Sequence, residues 1–411
     1  MLAKLAWRSI WRNRRRTLIS IASIGLGLTI AIFFISLGEG MYERLIDQAV
    51  RMQAGHVTLQ HPEYRRAPAV DLFVSLAEAL MRRIDTWPEV EEVKPMVLGQ
   101  GLIKTGAGGV AVGIMGVAPR LERSTSPLAR NIVQGRYLVE DDQTRVVIGH
   151  ELAERLDLAV GKKLVLASND VQGHLVEELC RVAGIFRTGS NQMDGYMAQM
   201  PIDAARELFA MPAQAASRIG IVLNEPADQP RVIERLTPVL ESSEQMAVLP
   251  WQRVMPELAS YIRMDRGSNW IFQSILLFLI LLTIFNTMLM SVLERQREFA
   301  VLLAVGTKAV QLRLQILLES AFLGIIGCLL GAVLGSLAGL AADLAGIDLS
   351  AFLSDNISVS GFAISTRLHF KLTPGIVGTV TGIVFAATLL LSLIPMHRAT
   401  SVKVAETLQA R

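Results

Sequence analysis

Four long stretches without a charged residue constrain this chain more than any other feature of its sequence. They are residues 17–38, 267–293, 320–342 and 372–396. Each supplies the roughly 20 apolar residues that a helix rising about 1.5 Å per residue needs to cross a hydrocarbon core of about 30 Å. Only 19% of the 411 residues are charged, against about 25% in soluble proteins. The chain is therefore predicted to be an α-helical membrane protein with four transmembrane helices.

The charges that flank these stretches predict the topology. Six bases and no acid precede the first stretch, and basic residues also follow the second and fourth. Because basic flanks stay in the cytoplasm, both termini are predicted to be inside. The first apolar run is longer than the 7–15 residues of a cleaved signal, so it is read as a span. The predicted segments are 1–16 cytoplasmic and amphipathic, 17–39 first span, 40–266 periplasmic domain, 267–293 second span, 294–319 cytoplasmic, 320–342 third span, 343–371 periplasmic loop, 372–396 fourth span and 397–411 cytoplasmic tail.

The 40–266 segment is predicted to be a large α/β domain with two lobes. Strand–helix–strand patterns occur at both of its ends, with strands at 56–59, 93–98, 218–223 and 246–249 and helices at 74–85 and 230–240. Shorter strands at 110–117, 145–148, 163–166 and 181–186 lie between them. We expect an α/β lobe built from both ends and a β-rich insertion over about 120–215.

Sites for catalysis, cofactors and metals are not expected. No G-x-x-x-x-G-K-[ST] phosphate loop occurs, so the chain is not expected to bind ATP or hydrolyse it. His150 and Glu151 begin like an H-E-x-x-H zinc motif, but the motif is incomplete because Glu154 stands where the second histidine belongs. The net charge of +3 does not favour a nucleic acid partner. The charge-free spans argue against an ion-driven carrier, which needs buried ionisable groups.

The segment after the second span carries the functional signal. Phe299, Leu302 and Leu303 are predicted to oppose a polar face with Arg295, Arg297 and Glu298, and Gly306 is a predicted helix stop. Such a short amphipathic helix lies in the membrane interface or fills a groove on a soluble partner.

The third span carries a glycine at every fourth position. Gly327, Gly331, Gly335 and Gly339 give it a bare groove, and Gly324 extends the small face. Repeated G-x-x-x-G patterns let the backbone of another membrane helix approach closely. The favoured interpretation is that this face holds the helix bundle together, and the alternative is that it permits sliding.

Several motifs together resemble the FtsX/MacB-type (type VII) ABC transporter permeases. The main one is the run from Asn286 through 291–298 to 303–306. Supporting matches are Trp7–Arg8, 12–17, Glu319, 395–399 and 405–408, and outside the membrane 113–119, 135–138, 182–189 and 251–253. The last two are more similar to the lipoprotein-release (LolC/LolE-type) permeases than to MacB. The polar 190–195 stretch is the candidate for their acceptor-binding hook loop.

The resemblance implies a function and a set of partners. It implies a coupling helix, with Glu294, Arg295, Arg297, Glu298, Leu302 and Gly306, that docks on a separate ABC ATPase. Two ATPase copies would hold ATP and Mg, and a second permease subunit would complete a homo- or heterodimer. The expected activity is mechanotransmission that extracts lipoproteins from the outer leaflet of the bacterial inner membrane toward a periplasmic acceptor. The alternatives are MacB-like export with a periplasmic adaptor and FtsX-like regulation of a periplasmic hydrolase.

An apolar cavity for acyl chains is also expected between the first two spans. Its candidate lining residues are Phe33, Phe34, Met41, Phe272 and Phe278. Simple contact with membrane lipid is the competing interpretation of these side chains.

Overall fold

The fold is taken from a computed structural model that describes residues 2–75, 78–240, 246–348, 358–359, 361–363 and 367–400. It divides into two units. The bundle unit contains the described residues up to 43, 264–348 and 367–400, and the sheet unit contains 44–263 with the described residues of 358–363.

The helices and strands follow one another along the chain. The helices are α1 (Leu2–Arg12), α2 (Arg14–Ala49), α3 (Glu78–Asp85), α4 (Pro119–Thr125), α5 (Pro127–Arg130), α6 (His150–Arg155), α7 (Asn191–Asp194), α8 (Ile202–Leu208), α9 (Gln229–Leu240), α10 (Trp251–Val254), α11 (Pro256–Glu294), α12 (Gln296–Ala304), α13 (Ala309–Ala345) and α14 (Pro374–Thr400). The strands are β1 (Val57–Gln60), β2 (Val74–Ser75), β3 (Val90–Thr105), β4 (Gly108–Val117), β5 (Ile132–Gly135), β6 (Arg145–Gly149), β7 (Lys163–Asn169), β8 (Leu175–Phe186), β9 (Met197–Pro201), β10 (Ala215–Ala216), β11 (Arg218–Leu223), β12 (Ala247–Pro250), β13 (Ser358–Val359) and β14 (Phe362–Ala363).

Within the described residues, four helices are long and apolar enough to cross a membrane. They cover Arg14–Ala54, Pro256–Glu294, Ala309–Ala345 and Pro374–His397. Within a helix every backbone polar group away from the ends bonds inside its own segment, which is what a hydrocarbon environment requires. The predicted fold class, four apolar helices with a large α/β domain, is confirmed.

The bundle unit packs around the middle of α2. Ile24, Leu28 and Ile32 are completely buried there. They form one apolar cluster with Ile284, Met288, Cys328 and Val384 of the other three long helices. Each long helix therefore contributes to a common core, and its remaining apolar surface stays exposed.

The sheet unit is organised by one ten-stranded sheet in the order β12-β1-β11-β3-β4-β9-β6-β8-β5, with β7 pairing β3 and β8. The 16-residue strand β3 crosses most of it. The first part of β3 pairs with β11, and the second part pairs with β4 and β7. Its two ends belong to two apolar cores, one around Val57, Ile84 and Leu236 and one around Ile114, Val182 and Phe209.

Two details of the sheet unit differ from the sequence expectation. The second core begins at Val97 rather than at about 120, because one continuous strand enters both cores. Gly99 interrupts the apolar alternation in this strand, since a side chain there would lie 2.3 Å from the Phe209 ring. Val74 does not start a helix. It lies in β2, which pairs with β10, and α3 begins at Glu78.

Candidate functional site

The 294–306 segment begins with a break in the helix and ends at a glycine. Helix α11 ends at Glu294, and α12 starts at Gln296 after the non-helical Arg295. At the other end Gly306 has a φ of +100°, a left-handed conformation that favours glycine. Its N–H donates to the Leu303 carbonyl at 3.1 Å. The predicted helix stop at Gly306 is confirmed.

One side of α12 is anchored in the bundle unit. Phe299 and Ala300 are buried. The Phe299 ring packs in a small apolar cluster with Val292, Leu312 and Ile316, and Leu303 and Met396 border it. Burying a phenylalanine side chain stabilises a contact by about 1.5–3 kcal/mol. The segment is therefore part of the folded bundle unit, rather than a loose loop.

Arg295 faces inward and braces this anchor. Its guanidinium bonds both carboxylate oxygens of Glu319, at 2.9 and 3.2 Å, and one of Glu298 at 3.3 Å. The side chains of Arg295 and Glu319 are only 15% and 13% exposed. The expectation that Arg295 lies on a polar face opposite Phe299 is wrong, because residues four positions apart share one helix face, and the guanidinium carbon of Arg295 lies 5.0 Å from the centre of the Phe299 ring.

Arg12 at the end of α1 and Arg16 in the first turn of α2 form two further ion pairs with the 294–306 segment. Arg12 pairs with Glu298, and Arg16 pairs with Glu294 at 3.1 Å. The hydrogen bond from Arg12 lowers the pKa of Glu298, so this carboxyl stays ionised. Arg297 is exposed. Among the predicted polar residues, Arg295 is thus an internal brace, Glu294 and Glu298 form ion pairs near the surface, and Arg297 is exposed.

Helix α1 lies along α13 and presents an amphipathic surface. The rings of Trp7 and Phe322 meet edge to face with centroids 5.5 Å apart. Trp7 and Trp11 are both partly exposed beside the basic side chains of α1. Exposed tryptophans next to bases are typical of a helix that rests in the membrane interface.

The 294–306 segment also has an apolar face that points away from the Phe299 anchor. Leu302 is 38% exposed and Val305 is 82% exposed, with Val301 also exposed. Sequence reasoning found Leu302 but missed both valines, because it placed the whole apolar face on Phe299, Leu302 and Leu303. Three exposed apolar side chains on a braced segment make a surface suited to a partner groove.

Three of the glycines predicted on α13 lie where α2 approaches closely. A Cβ on Gly327 would lie 2.7 Å from Ile24, and one on Gly331 would lie 2.7 Å from the Gly25 carbonyl oxygen. Gly335 faces Ile32 and Thr29 at 3.0 and 3.2 Å. Gly324 faces Phe385 of α14, and Gly339 has only ordinary contacts with Phe370 and Leu372.

The far end of the bundle unit holds a cleft of about 430 Å³ between α2, α11 and α14. Phe34, Trp270 and Ile383 contribute apolar walls. Of the five residues expected to line an acyl-chain cavity, Phe34 is the one found among the lining residues. Phe272 and Phe278 are more than half exposed elsewhere on α11, and Phe33 packs against Phe370 with centroids 4.8 Å apart.

Charged and polar side chains rim this cleft. Arg266 bonds Glu39 at 2.6 Å, and Lys371 bonds Glu43 at 2.5 Å. Tyr42 donates to Asp265 and accepts from Asn269, the latter at 2.7 Å. An apolar cleft with such a rim suits an amphiphile that has an apolar chain and a polar head.

The candidate hook stretch and the zinc-like motif each contain a short helix. Ser190 caps the one-turn helix α7, and the carboxylate of Asp194 accepts from Thr188 at 2.6 Å. His150 opens the short helix α6 and lies 3.1 Å from Glu154. Within the described ranges, no three His, Cys, Asp or Glu side chains converge as metal ligands.

Known protein families match both units of the chain. Residues 17–239 match the MacB-like periplasmic core domain, and residues 270–404 match the FtsX-like permease C-terminal region. An uncharacterized ABC transporter permease of Methanocaldococcus jannaschii is 25% identical over 342 residues, covering 78% of this chain and 79% of that protein. The lipoprotein-releasing system transmembrane protein LolC of Neisseria meningitidis is 22% identical over 325 residues, with coverage of 76% and 74%.

Among solved structures, the periplasmic region of MacB from Actinobacillus actinomycetemcomitans aligns with a TM-score of 0.37 and 13% identity. That alignment covers 53% of this chain and 98% of the other.

Proposed function

The chain belongs to the FtsX/MacB-type family of ABC transporter permeases, and on this premise we propose that it couples a separate ATPase to the extraction of lipid-anchored substrates. The observation that carries the coupling part is the exposed apolar face of Val301, Leu302 and Val305 on a segment that is braced from behind. The anchor on Phe299 keeps this face in a fixed position for docking. A fixed docking face can pass a displacement on without first having to be ordered.

The coupling route begins at the ATPase. ATP and Mg would be held by two ATPase copies, one for each of two permease subunits. Movement of the docked segment would reach α13 through the Arg295–Glu319 pair and then α2 through the close contacts at Gly327 and Gly331. Rigid, closely packed helices transmit such a displacement because their interior contacts are not easily deformed.

The substrate assignment is supported by the cleft between α2, α11 and α14. Its apolar walls suit acyl chains, and its rim with Arg266 and Lys371 suits a polar head. A relative named as a lipoprotein-releasing system protein favours a lipoprotein over a free lipid. We place the chain in the bacterial inner membrane, with both termini cytoplasmic and the 40–266 domain periplasmic, where an acceptor would receive the substrate.

The experiment that tests the docking face is a charge substitution. In Leu302→Asp an ionised carboxylate would have to be buried in the partner groove, which is costly without a counter-charge. We expect co-purification of the cognate ABC ATPase to be reduced at least roughly tenfold, the equivalent of about 1.4 kcal/mol. Leu175→Asp is the matched control, because Leu175 is an equally apolar, exposed residue on β8 of the sheet unit.

The two variants separate assembly from folding. Leu175→Asp should retain full co-purification, and both variants should elute as folded protein. If Leu302→Asp co-purified as much ATPase subunit as wild type, the 294–306 segment would be only an interfacial helix. Lipoprotein release by the assembled complex then tests the substrate, and release of a soluble peptide alone would support MacB-like export instead.

A further inference from the structure

A second cavity, of about 670 Å³, lies within the sheet unit and is independent of the coupling segment and the bundle cleft. Its volume is within the range of about 300–1,000 Å³ that is usual for small-molecule sites. Strands β3, β4 and β11, the end of β7 and the 68–71 segment contribute to its wall. Two tyrosines, Tyr64 and Tyr196, give it aromatic surface.

The base in this wall is Arg218, at the start of β11. Its guanidinium carbon lies 5.3 Å from the centre of the Tyr64 ring, which is itself buried. Among the described residues no acidic side chain forms an ion pair with Arg218, and its buried Nε has no hydrogen-bond partner. Burial raises the pKa of Tyr64, so the phenol stays neutral and does not supply the missing anion.

A second unpaired polar group lies beside it. Gln60 of β1 stands directly opposite Arg218 in the antiparallel register, so the two side chains share one face of the sheet. Gln60 is fully buried, and neither its Nε2 nor its Oε1 has a hydrogen-bond partner among the described residues. A buried charge and a buried amide left unpaired side by side are costly to stability. Of the two residues, Arg218 lines the cavity, so its guanidinium is the group available to a ligand there.

The other charges of the wall restrict what the ligand can be. Asp71 and Asp170 also line the cavity, and the Asp170 carboxylate is already held by the backbone N–H groups of Gln172 and His174 at 2.8 and 2.9 Å. One base and two acids disfavour a dianion such as phosphate. They favour a ligand with one carboxylate and one ammonium group. Amide side chains suited to peptide groups complete the wall, namely Gln53, Gln100, Asn169 and Gln172.

We propose that this cavity binds the free carboxylate of an amino acid or short peptide, with the carboxylate on Arg218 and the ammonium group toward Asp71. A guanidinium presents two parallel N–H donors that match the two oxygens of a carboxylate. The exposed aspartate supplies the complementary charge at the cavity wall. The cavity is thus a periplasmic recognition site for zwitterionic peptides that is separate from the lipid cleft.

Equilibrium binding to the full-length protein in nanodiscs tests the assignment. The probes are tri-alanine, its C-terminal amide, its N-acetyl form and inorganic phosphate. Wild-type protein should bind tri-alanine roughly ten- to a hundredfold more tightly than the amide, the range expected for charge-assisted hydrogen bonds. Arg218→Met should remove this preference, and the control Arg231→Met should keep it, because Arg231 is an exposed surface residue of α9.

Further variants keep the test decisive. Arg218→Met removes an unpaired buried charge, so it should be at least as thermally stable as wild type. Should it fail to fold, Arg218→Lys retains the charge without the fork and should still lose most of the preference for the carboxylate. Asp71→Asn should weaken binding of tri-alanine but not of its N-acetyl form.

Three results would overturn the proposal. They are equal binding of tri-alanine and its amide by wild type, a carboxylate preference that survives in Arg218→Met, and displacement of tri-alanine by phosphate at a similar concentration. Binding is measured without the ATPase, so failure of the coupling proposal would leave this outcome unaffected.

Discussion

The contacts inside the bundle unit differ from those inside the sheet unit. In the bundle unit helices approach each other closely at glycines, as at Gly331 against Gly25. In the sheet unit the buried centres are large side chains such as Phe186 and Phe209 on and beside a ten-stranded sheet. Lipid tails are as apolar as leucine, so membrane helices gain little from burying large side chains and more from close backbone packing. In water the burial of large apolar side chains supplies most of the free energy that favours folding.

The difference provides a separate substitution test for each unit. Adding a single methyl group should damage the bundle unit where its helices touch. The sheet unit also has tightly packed glycines such as Gly99, and it should respond in addition to changes at its buried polar groups, because burying a charge without a partner is costly.

The largest effect is expected for Gly331→Ala. The added Cβ would lie 2.7 Å from the Gly25 carbonyl oxygen and 2.8 Å from Leu28, so the helices must separate. Overpacking of this kind costs about 1–3 kcal/mol. The thermal midpoint in detergent, followed by size-exclusion chromatography of heated samples, should fall clearly.

Gly378→Ala is the matched control for that substitution. Gly378 lies on α14, and a Cβ there meets no atom within 4 Å. Alanine is also the better helix former, so this variant should be as stable as wild type or slightly more stable. Equal losses from both substitutions would contradict the close-packing account of the bundle unit.

A pH-dependent effect, small near neutral pH and growing as the pH falls, is expected in the sheet unit at His56. This side chain is buried and its Nδ1 accepts from the Leu223 N–H at 3.0 Å. Burial lowers the pKa of His56 from 6.5 to about 4. The unfolded chain therefore binds a proton below about pH 6.5, whereas the folded chain does so only near pH 4. The stability contributed by neutral His56 is complete above pH 6.5 and is lost as the pH falls toward 4.

The expected loss is about 1 kcal/mol per pH unit in that window. Hydrogen exchange of the β1 and β11 amides in the full chain, between pH 7 and 4.5, measures it separately from the bundle unit. In His56→Gln the stability of the sheet unit should depend less on pH than it does in wild type. His174→Gln should leave it intact, because His174 is exposed. A pH dependence unchanged in His56→Gln would show that another group is responsible.

The sequence predicted the features that depend on composition and local periodicity. The spans follow from the charge-free runs, most strands of the sheet unit from period-two patterns, and the stop at Gly306 from its conformational freedom. The inward position of Arg295 was not predicted, because its carboxylate partner Glu319 lies 24 positions away on α13 and local periodicity does not reveal such a contact. The sequence predicted a strand that ends at residue 98 rather than the continuous β3, because Gly99 interrupts the apolar alternation.

The cleft shows a different limit of sequence reasoning. A phenylalanine on a membrane helix is equally stable against lipid or in a cavity, so Phe272 and Phe278 carried no signal for either. The cleft is instead marked by polar residues at the ends of the spans, such as Tyr42 and Arg266. Their role follows from contacts between helices that are more than 200 positions apart.

Site-specific photocrosslinking from Val305 tests the central claim most directly. Val305 is the most exposed apolar residue of the 294–306 segment, at 82%, whereas Phe299 on the same segment is buried. With a photoreactive amino acid at position 305, we expect a covalent adduct with the cognate ABC ATPase subunit in native membranes. The same probe at position 299 should give little or none. Adducts with lipid alone from position 305, in membranes that contain the ATPase, would contradict the account.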